Sequence, residues 1–141
     1  MGEIHAIIEL TNARDEYMAA EGKLQPEKVR TVRAKAVVDT GAIMLAIPAE
    51  IADALGLRIK DIMKAYFADG SSSDLPITEG LRLHLPEFNR SMTAECVVLP
   101  PGSTEILLGQ IPLNRLDLLA DCAAQKLLRR HPDANVPVLR I

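Results

Sequence analysis

The chain has 141 residues, about the usual size of one domain, so a single domain with one core is expected. Hydrophobic residues make up 48% and charged residues 25%, a globular composition that excludes a disordered or low-complexity chain. The formal net charge of -3 and the aromatic content of 3% exclude the basic surface and stacking platform typical of nucleic-acid-binding proteins. The core is therefore predicted to be aliphatic.

The sequence favours a cytosolic protein. Met1–His5 lacks the basic start and long apolar run of a signal peptide, and no apolar run approaches membrane-spanning length. Cys96 and Cys122 lie far apart without a CxxC spacing, which favours two free, buried thiols over a zinc site or a disulfide. No membrane, nucleic-acid or metal partner is expected.

The first half of the chain has the period-two pattern of half-buried strands. Apolar residues alternate over residues 4–10 and again over 32–38, which predicts two strands. Residues 12–28 between them are polar and contain glycine and proline, so they are predicted to be a long hairpin connection. Pro48 and Gly56 flank a short predicted helix.

The second half is predicted to be mostly short strands separated by turns. The predicted strands are 62–68, 81–85, 92–99, 106–108 and 118–128, with a short helical stretch over 112–116. Residues 1–131 are expected to form one domain. Residues 132–141 are expected to form a tail that is either mobile or packed at a subunit interface.

Asp39-Thr40-Gly41 is the sharpest chemical feature of the sequence. It places a carboxylate at the end of the apolar strand segment 36–38, where a buried charge is costly unless it is used or paired. All three residue types also favour ordinary turns, and a tripeptide match alone is weak. On the tripeptide alone, a catalytic aspartate and a structural turn both remain open.

The wider pattern resembles the retropepsin-like aspartic protease family, and specifically its small bacterial members. The matching segments occur in the family's order and at similar spacing, over about residues 30–128. They are Val37-Val38-Asp39-Thr40-Gly41-Ala42, Leu55-Gly56-Leu57, Phe67-Ala68-Asp69-Gly70 and Ile106-Leu107-Leu108-Gly109.

This resemblance implies a mostly β fold, a closed antiparallel barrel with one or two short helices that works as a homodimer. Asp39 would be the catalytic residue, and Thr40 would hydrogen-bond across to the matching loop of the partner chain. Gly41 would leave room for the substrate backbone. The turn Leu107-Leu108-Gly109 would support the active-site loop from behind.

The resemblance also implies where a substrate binds. The hairpin over Asp69–Leu75 would be a flap that covers an extended peptide. The expected substrate-binding residues are Ala42, Ile43, Asp69, Gly70, Leu75 and Leu107. Because these walls are mostly apolar and aromatic residues are few, a preference for aliphatic or modest-sized side chains is expected.

The chemistry itself argues for two chains. An aspartic protease needs one carboxylate to deprotonate a water and a second to protonate the scissile carbonyl oxygen, and this chain carries the motif once. The catalytic pair is therefore expected to be Asp39 from each chain of a two-fold dimer, with no metal or organic cofactor. By resemblance, Met1–Leu10 and Asp117–Leu128 are the expected interface segments.

Two positions depart from the viral members of the family. Those members carry an acid two places after the first glycine and an arginine directly after the second, whereas this chain has Ile43 and Gln110. Both halves of one ion pair are absent together, which indicates a coherent replacement, because loss of one partner alone would leave an unpaired charge. Ala42 also lacks a hydroxyl that could donate to the carboxylate, so a mildly acidic optimum is expected.

Two functions follow from these residues. The first is an aspartic endopeptidase. The alternative is a non-proteolytic homodimer of the same fold that binds peptides or only dimerises, since a fold does not guarantee an activity. The intact Asp39 favours the endopeptidase.

Overall fold

A computed structural model describes residues 3–141 and shows a mostly β chain. The strands are β1 (His5–Asn12), β2 (Thr31–Val38), β3 (Leu45–Ile47), β4 (Ile59–Tyr66), β5 (Ser72–Thr78), β6 (Leu81–Leu85), β7 (Arg90–Ala94), β8 (Cys96–Val98), β9 (Ile106–Leu108), β10 (Leu118–Asp121) and β11 (Lys126–Arg129). The helices are α1 (Ala13–Ala20), α2 (Ala49–Leu55) and α3 (Gln110–Arg115), with one 3-10 turn at Pro26–Lys28.

Nine strands form one sheet in the order β4-β5-β8-β3-β9-β2-β1-β6-β7, and β10 and β11 form a separate hairpin. Most pairs are antiparallel, but β2 pairs with β9, and β3 with β8, in parallel. The mostly β prediction is confirmed. The expected closed barrel is not found, because the described strands do not join β4 to β7. Instead, β4 is the outer strand of a hairpin, and nearly all of its residues are exposed.

The core is aliphatic, as predicted from the few aromatic residues. Strand β1 buries every second residue, and Ile8 and Leu10 have no exposed surface. Strand β6 alternates in the same way, with Leu81, Leu83 and Leu85 in the core. Burying side chains of this size supplies the main favourable free energy of folding.

The predicted hairpin connection over 12–28 does join an antiparallel pair, since β1 and β2 pair over seven positions. It also contains α1, which was not predicted from the sequence, so residues 3–141 contain three helices rather than one or two. Asn12 caps α1 by accepting a hydrogen bond from the Asp15 amide at 3.0 Å, and acidic residues occupy the first turn. Asp15 is the only buried residue of α1, so no apolar stripe indicated a helix.

Two of the predicted strands are interrupted. The segment 92–99 breaks at Glu95, because β7 pairs with β6 whereas β8 lies between β3 and β5. The segment 118–128 folds back on itself as the β10–β11 hairpin. Cys96 is buried as predicted, and burial raises the pKa of its thiol to about 11. The predicted burial of Cys122 is wrong, because this residue lies in the exposed hairpin turn.

All three helices are short. α2 follows Pro48 and ends at Gly56, which adopts a left-handed conformation with φ +61°, so this helix lies where the sequence predicted it. α1 has eight residues and α3 has six. Over residues 3–141, none of them combines the length and the apolar character that crossing a bilayer requires.

The last ten residues contain no helix or strand but contact the rest of the chain at two points. Arg90, only 2% exposed, donates to the carbonyls of Leu116, Asp117 and Ala134. The carboxylate of Asp117 accepts hydrogen bonds from His131 and from the Val138 amide, and the hydrogen bond from His131 lowers the pKa of Asp117. A contribution of this tail to a subunit interface stays a prediction.

One buried polar network ties the first helix to the sheet. Asp15, 4% exposed, accepts hydrogen bonds from the Arg30 amide, Nε and Nη2 at 3.1, 2.8 and 3.0 Å. The side chain of Asn12 donates to the carbonyl of Leu55 at 2.7 Å. The network therefore joins α1 to the chain entering β2 and to the end of α2. The hydrogen bonds from Arg30 hold the pKa of Asp15 below its ordinary value despite burial.

Replacing Asp15 by asparagine should lower the free energy of unfolding at pH 7 by about 1–3 kcal/mol, because Arg30 loses its charged acceptor. The pKa of Asp15 is lowered in the folded state, so its ionic contribution is present above the unfolded value of about 3.9 and is lost as the pH falls. The difference between wild type and Asp15→Asn should therefore shrink from pH 7 to pH 3 in urea titrations. Asp53→Asn, at an exposed position of α2, is the matched control. A difference that stays constant with pH would contradict the ionic role.

Candidate active site

Asp39 follows directly after β2, at the point where two parallel strands end together. Val38 on β2 is in register with Leu108 on β9, and the Asp39 amide donates to the Leu108 carbonyl at 3.0 Å. The carboxyl ends of parallel strands lie at the same edge of a sheet. This edge therefore brings the Asp39-Thr40-Gly41 motif beside Gly109, as the resemblance implied. Asp39 and Gly109 are seventy positions apart in the sequence.

The motif forms a tight turn around its own carboxylate. The Gly41 amide donates to Asp39 Oδ1 at 2.9 Å, and the Ala42 amide donates to the Asp39 carbonyl at 3.1 Å. Asp39 is half-buried, whereas Thr40 and Gly41 are exposed. The carboxylate is thus held by the backbone of its own loop and faces a surface to which solvent has access.

The two residues that follow the turn Leu107-Leu108-Gly109, the turn expected to support the loop, hold the loop by hydrogen bonds. The amide of Gln110 donates to the Ala42 carbonyl at 2.9 Å, and the Ile111 amide donates to the Ile43 carbonyl at 2.8 Å. The side chain of Gln110 adds a hydrogen bond from Nε2 to the Thr40 carbonyl at 2.7 Å. The sequence itself marks Gln110 only as a departure from the viral pattern. Its position directly after the second glycine was the signal that it contacts the loop.

The two positions at which viral members carry an ion pair hold the uncharged residues Ile43 and Gln110 in this chain. Ile43 is 65% exposed, and Gln110 makes a neutral hydrogen bond to the loop backbone. Neither residue leaves an unpaired charge, which agrees with a coherent replacement.

Gly109 is the residue that allows the two segments to approach. A Cβ atom at this position would lie 2.5 Å from the Met44 carbonyl oxygen and 2.7 Å from that of Ala42. Both atoms are backbone, so they cannot move aside as the end of a side chain can. Only glycine fits between β9 and α3 without displacing the Asp39 loop.

The β4–β5 hairpin lies across a cleft from this loop. Its turn is closed by hydrogen bonds from the Phe67 amide to the Ser71 carbonyl and from the Gly70 amide to the Phe67 carbonyl. Gly70 has φ +87°, a conformation that other residues adopt at a cost. Asp69 accepts hydrogen bonds from the amide and hydroxyl of Ser71, which lower the pKa of its carboxyl group.

The cleft has a volume of about 330 Å³ and a largely apolar lining. Ala42, Ile43, Leu75 and Leu107, the four residues expected as walls, all line it. The lining residues on β4 were not predicted from the sequence. One of them, Lys64, is the one charged residue of the cleft lining. The remaining lining residues are Gly41, Met44, Ala46, Met63, Ala65, Tyr66, Phe67, Ile77, Val97 and Leu99.

The two other expected binding residues, Asp69 and Gly70, lie at the tip of the hairpin rather than along this cleft. Asp69 lines a neighbouring cavity of about 530 Å³. This cavity shares Phe67, Leu99 and Leu107 with the cleft, so the two spaces adjoin. Substrate binding by all six expected residues stays a prediction. Within residues 3–141, no group of three His, Cys, Asp or Glu side chains is arranged to hold a metal ion.

Substituting Gly109 by alanine should displace the Asp39 loop, because the added methyl group meets two carbonyl oxygens. The expected cost is about 1–3 kcal/mol in the free energy of unfolding, the usual range for overpacking. The backbone amide resonances of residues 39–44 should shift in the same variant. Gly80→Ala is the control, since its Cβ would meet only the methyl group of Thr93, at 3.0 Å. Unchanged amide resonances in Gly109→Ala would show that the close approach is not required.

A family model described as gag-polyprotein putative aspartyl protease matches residues 27–115. The match runs from the turn before β2 through the Asp39 loop and the β4–β5 hairpin to the end of α3, which is more than half of the chain. No curated protein matches the chain. The family match agrees with the support of the Asp39 loop by the segment after β9, and the chain belongs to the retropepsin-like aspartyl protease family.

Proposed function

We propose that the chain is an aspartic endopeptidase that works as a homodimer, with Asp39 of each chain forming the catalytic pair. The observation that carries this proposal is the placement of Asp39: a half-buried carboxylate on a loop supported by a second glycine turn, next to an apolar cleft. A peptide bond held in the cleft would lie close to that loop. No metal ion or organic cofactor is needed for this chemistry.

The reaction uses the two carboxylates in different protonation states. Two carboxyl groups within hydrogen-bonding distance do not both ionise easily, so the pair retains one proton. The ionised group deprotonates a water, which attacks the scissile carbonyl carbon, and the protonated group donates its proton to the carbonyl oxygen. The rate should therefore be bell-shaped in pH.

The dimer supplies what a single chain lacks. The chain carries one Asp-Thr-Gly motif, and Thr40 is exposed beside Asp39, where it could bond to the same loop of a second chain. The proposed interface segments are Met1–Leu10 and Asp117–Leu128. Met1 and Gly2 lie outside the described residues, and Asp117–Leu128 contains most of the separate β10–β11 hairpin.

The proposed substrate is an extended peptide held by backbone hydrogen bonds beneath the β4–β5 hairpin. Ala42, Ile43, Leu75 and Leu107 would form the walls for aliphatic or modest-sized side chains near the cut. The free state of both cysteines suits a reducing compartment, and a cytosolic location is part of the proposal.

Replacing Asp39 by asparagine should reduce cleavage of an unfolded protein mixture by about 10²-fold or more, because the amide can neither deprotonate water nor share a proton. The substitution keeps the shape of the side chain and an oxygen that can accept the hydrogen bond from the Gly41 amide. Cleavage is measured as the rate of new amino termini formed by purified chain.

Asp53→Asn is the matched control, since it makes the same chemical change at an exposed position of α2. Equal cleavage by wild type and Asp39→Asn would rule out the endopeptidase and point to a contaminating protease. A wild type that binds peptides or dimerises without cleaving them would favour the non-proteolytic alternative.

Dilution should lower the specific activity, because each site is shared between two chains. Below the dissociation constant of the dimer, specific activity should fall in proportion to concentration. The measurement is the cleavage rate per chain over a dilution series, with the mass in solution determined by sedimentation. Constant specific activity with a monomeric mass would exclude a catalytic pair formed between chains.

A further inference from the structure

The peptide unit that joins Thr40 to Gly41 has a hydrogen-bond partner at each end. Its carbonyl accepts from Gln110 Nε2 at 2.7 Å, and its N–H donates to Asp39 Oδ1 at 2.9 Å. A trans peptide is planar, and its C=O and N–H bonds point in opposite directions. A contact that fixes the carbonyl therefore also fixes the direction of the N–H.

We propose that Gln110 is a positioning residue that holds the carbonyl of Thr40 and thereby directs the amide N–H of Gly41 onto the Asp39 carboxylate. The meaning of this contact for catalysis rests on the proposed function. The geometry of the contact does not.

The Thr40 carbonyl differs from the other loop carbonyls in its partner. The carbonyls of Asp39, Ala42 and Ile43 each accept a hydrogen bond from a backbone amide. The Thr40 carbonyl is held by a side chain instead, and Thr40 itself is exposed. A substitution at Gln110 can therefore release this one peptide while the backbone bonds to Ala42 and Ile43 remain.

The Gly41 amide matters because the Asp39 carboxylate has no other hydrogen-bond donor among residues 3–141. Among the described residues it is the one hydrogen-bond donor to the Asp39 carboxylate, and Ala42 has no hydroxyl to add another. A hydrogen bond to an ionised carboxylate favours the charged form. Donation from Gln110 to the carbonyl also polarises the peptide and strengthens its N–H as a donor.

Within the described part of the chain, no charged side chain donates a hydrogen bond to the Asp39 carboxylate in addition to the Gly41 amide. The segments that adjoin the loop or face it carry Glu3 and His5 beside the end of β2, Lys64 across the cleft on β4, Glu105 before β9 and Arg115 on α3. Glu3 and His5 pair with each other, and Lys64 pairs with Asp74 on the neighbouring strand. None of these groups forms an ion pair with Asp39 in residues 3–141.

The test replaces Gln110 by methionine, which has a similar length but no donor. The reporter is the Gly41 amide proton, whose NMR resonance should move as the Asp39 carboxylate ionises. In Gln110→Met, the midpoint of this movement should rise by about half a pH unit or more, because the charged form loses a donor. The amplitude of the movement should fall by about half or more, since the N–H no longer points at the carboxylate.

Two further variants complete the design. Gln25→Met makes the same change at an exposed residue without a capping hydrogen bond, and it should leave the Gly41 titration unchanged. Gln110→Leu also removes the side-chain amide without adding a titratable group, so it should likewise release the peptide. It provides the same readout if Gln110→Met does not fold. A Gly41 titration with the wild-type midpoint and amplitude in a folded Gln110 variant would overturn the proposal.

The NMR measurement does not require activity, so it separates this inference from the proposed function. If the wild type cleaves peptides, the acid limb of its kcat/KM profile should move to higher pH in Gln110→Met by the same amount as the Gly41 midpoint. A moved midpoint with an unmoved acid limb would overturn the catalytic meaning of the contact. A wild type without cleavage would reject the endopeptidase, while the Gly41 titration would still decide the role of Gln110.

Discussion

The parallel pairing of β2 with β9 is the interaction on which the site depends. It places Val38 opposite Leu108 and so brings two turns that are distant in the sequence to the same edge of the sheet. Each strand supplies its turn at its carboxyl end, where the ladder stops and backbone groups are free to bond to the neighbouring segment. The loop of Asp39 is consequently held by the backbone of Gln110 and Ile111 rather than by side-chain packing alone.

That support is compact and uncharged. Glycine at position 109 allows two carbonyls of the first turn to lie within 3 Å of where a Cβ atom would be. Gln110 then bonds to the turn with both its backbone amide and its side chain. The neutral amide of Gln110 holds the Thr40 carbonyl without adding a charge beside the carboxylate, and it orients the peptide dipole toward Asp39. Loop geometry and the environment of Asp39 are therefore coupled through one peptide unit.

The cleft beside the Asp39 loop is bounded by an exposed hairpin. The β4–β5 hairpin projects from the sheet with most of β4 exposed, and the cleft beneath it is largely apolar. A hairpin and a loop on opposite sides of a cleft offer backbone groups to a peptide from both directions. Each chain carries one carboxylate of the motif, so the proposed chemistry takes its second carboxylate from another chain.

Local sequence determined the elements whose signals are local. The alternation in β1, β2 and β6, the flanking residues Pro48 and Gly56, and the Asp-Thr-Gly motif each depend on neighbouring residues, so they could be predicted. The helix α1 could not, because it is polar and is stabilised by Asn12 and by the distant Arg30 rather than by an apolar stripe. The break at Glu95 and the open ends of the sheet likewise depend on which strands pair across the fold. The hydrogen bond of Gln110 to Thr40 required the tertiary structure, since the pairing of β2 with β9 brings these residues, seventy positions apart, within hydrogen-bonding distance.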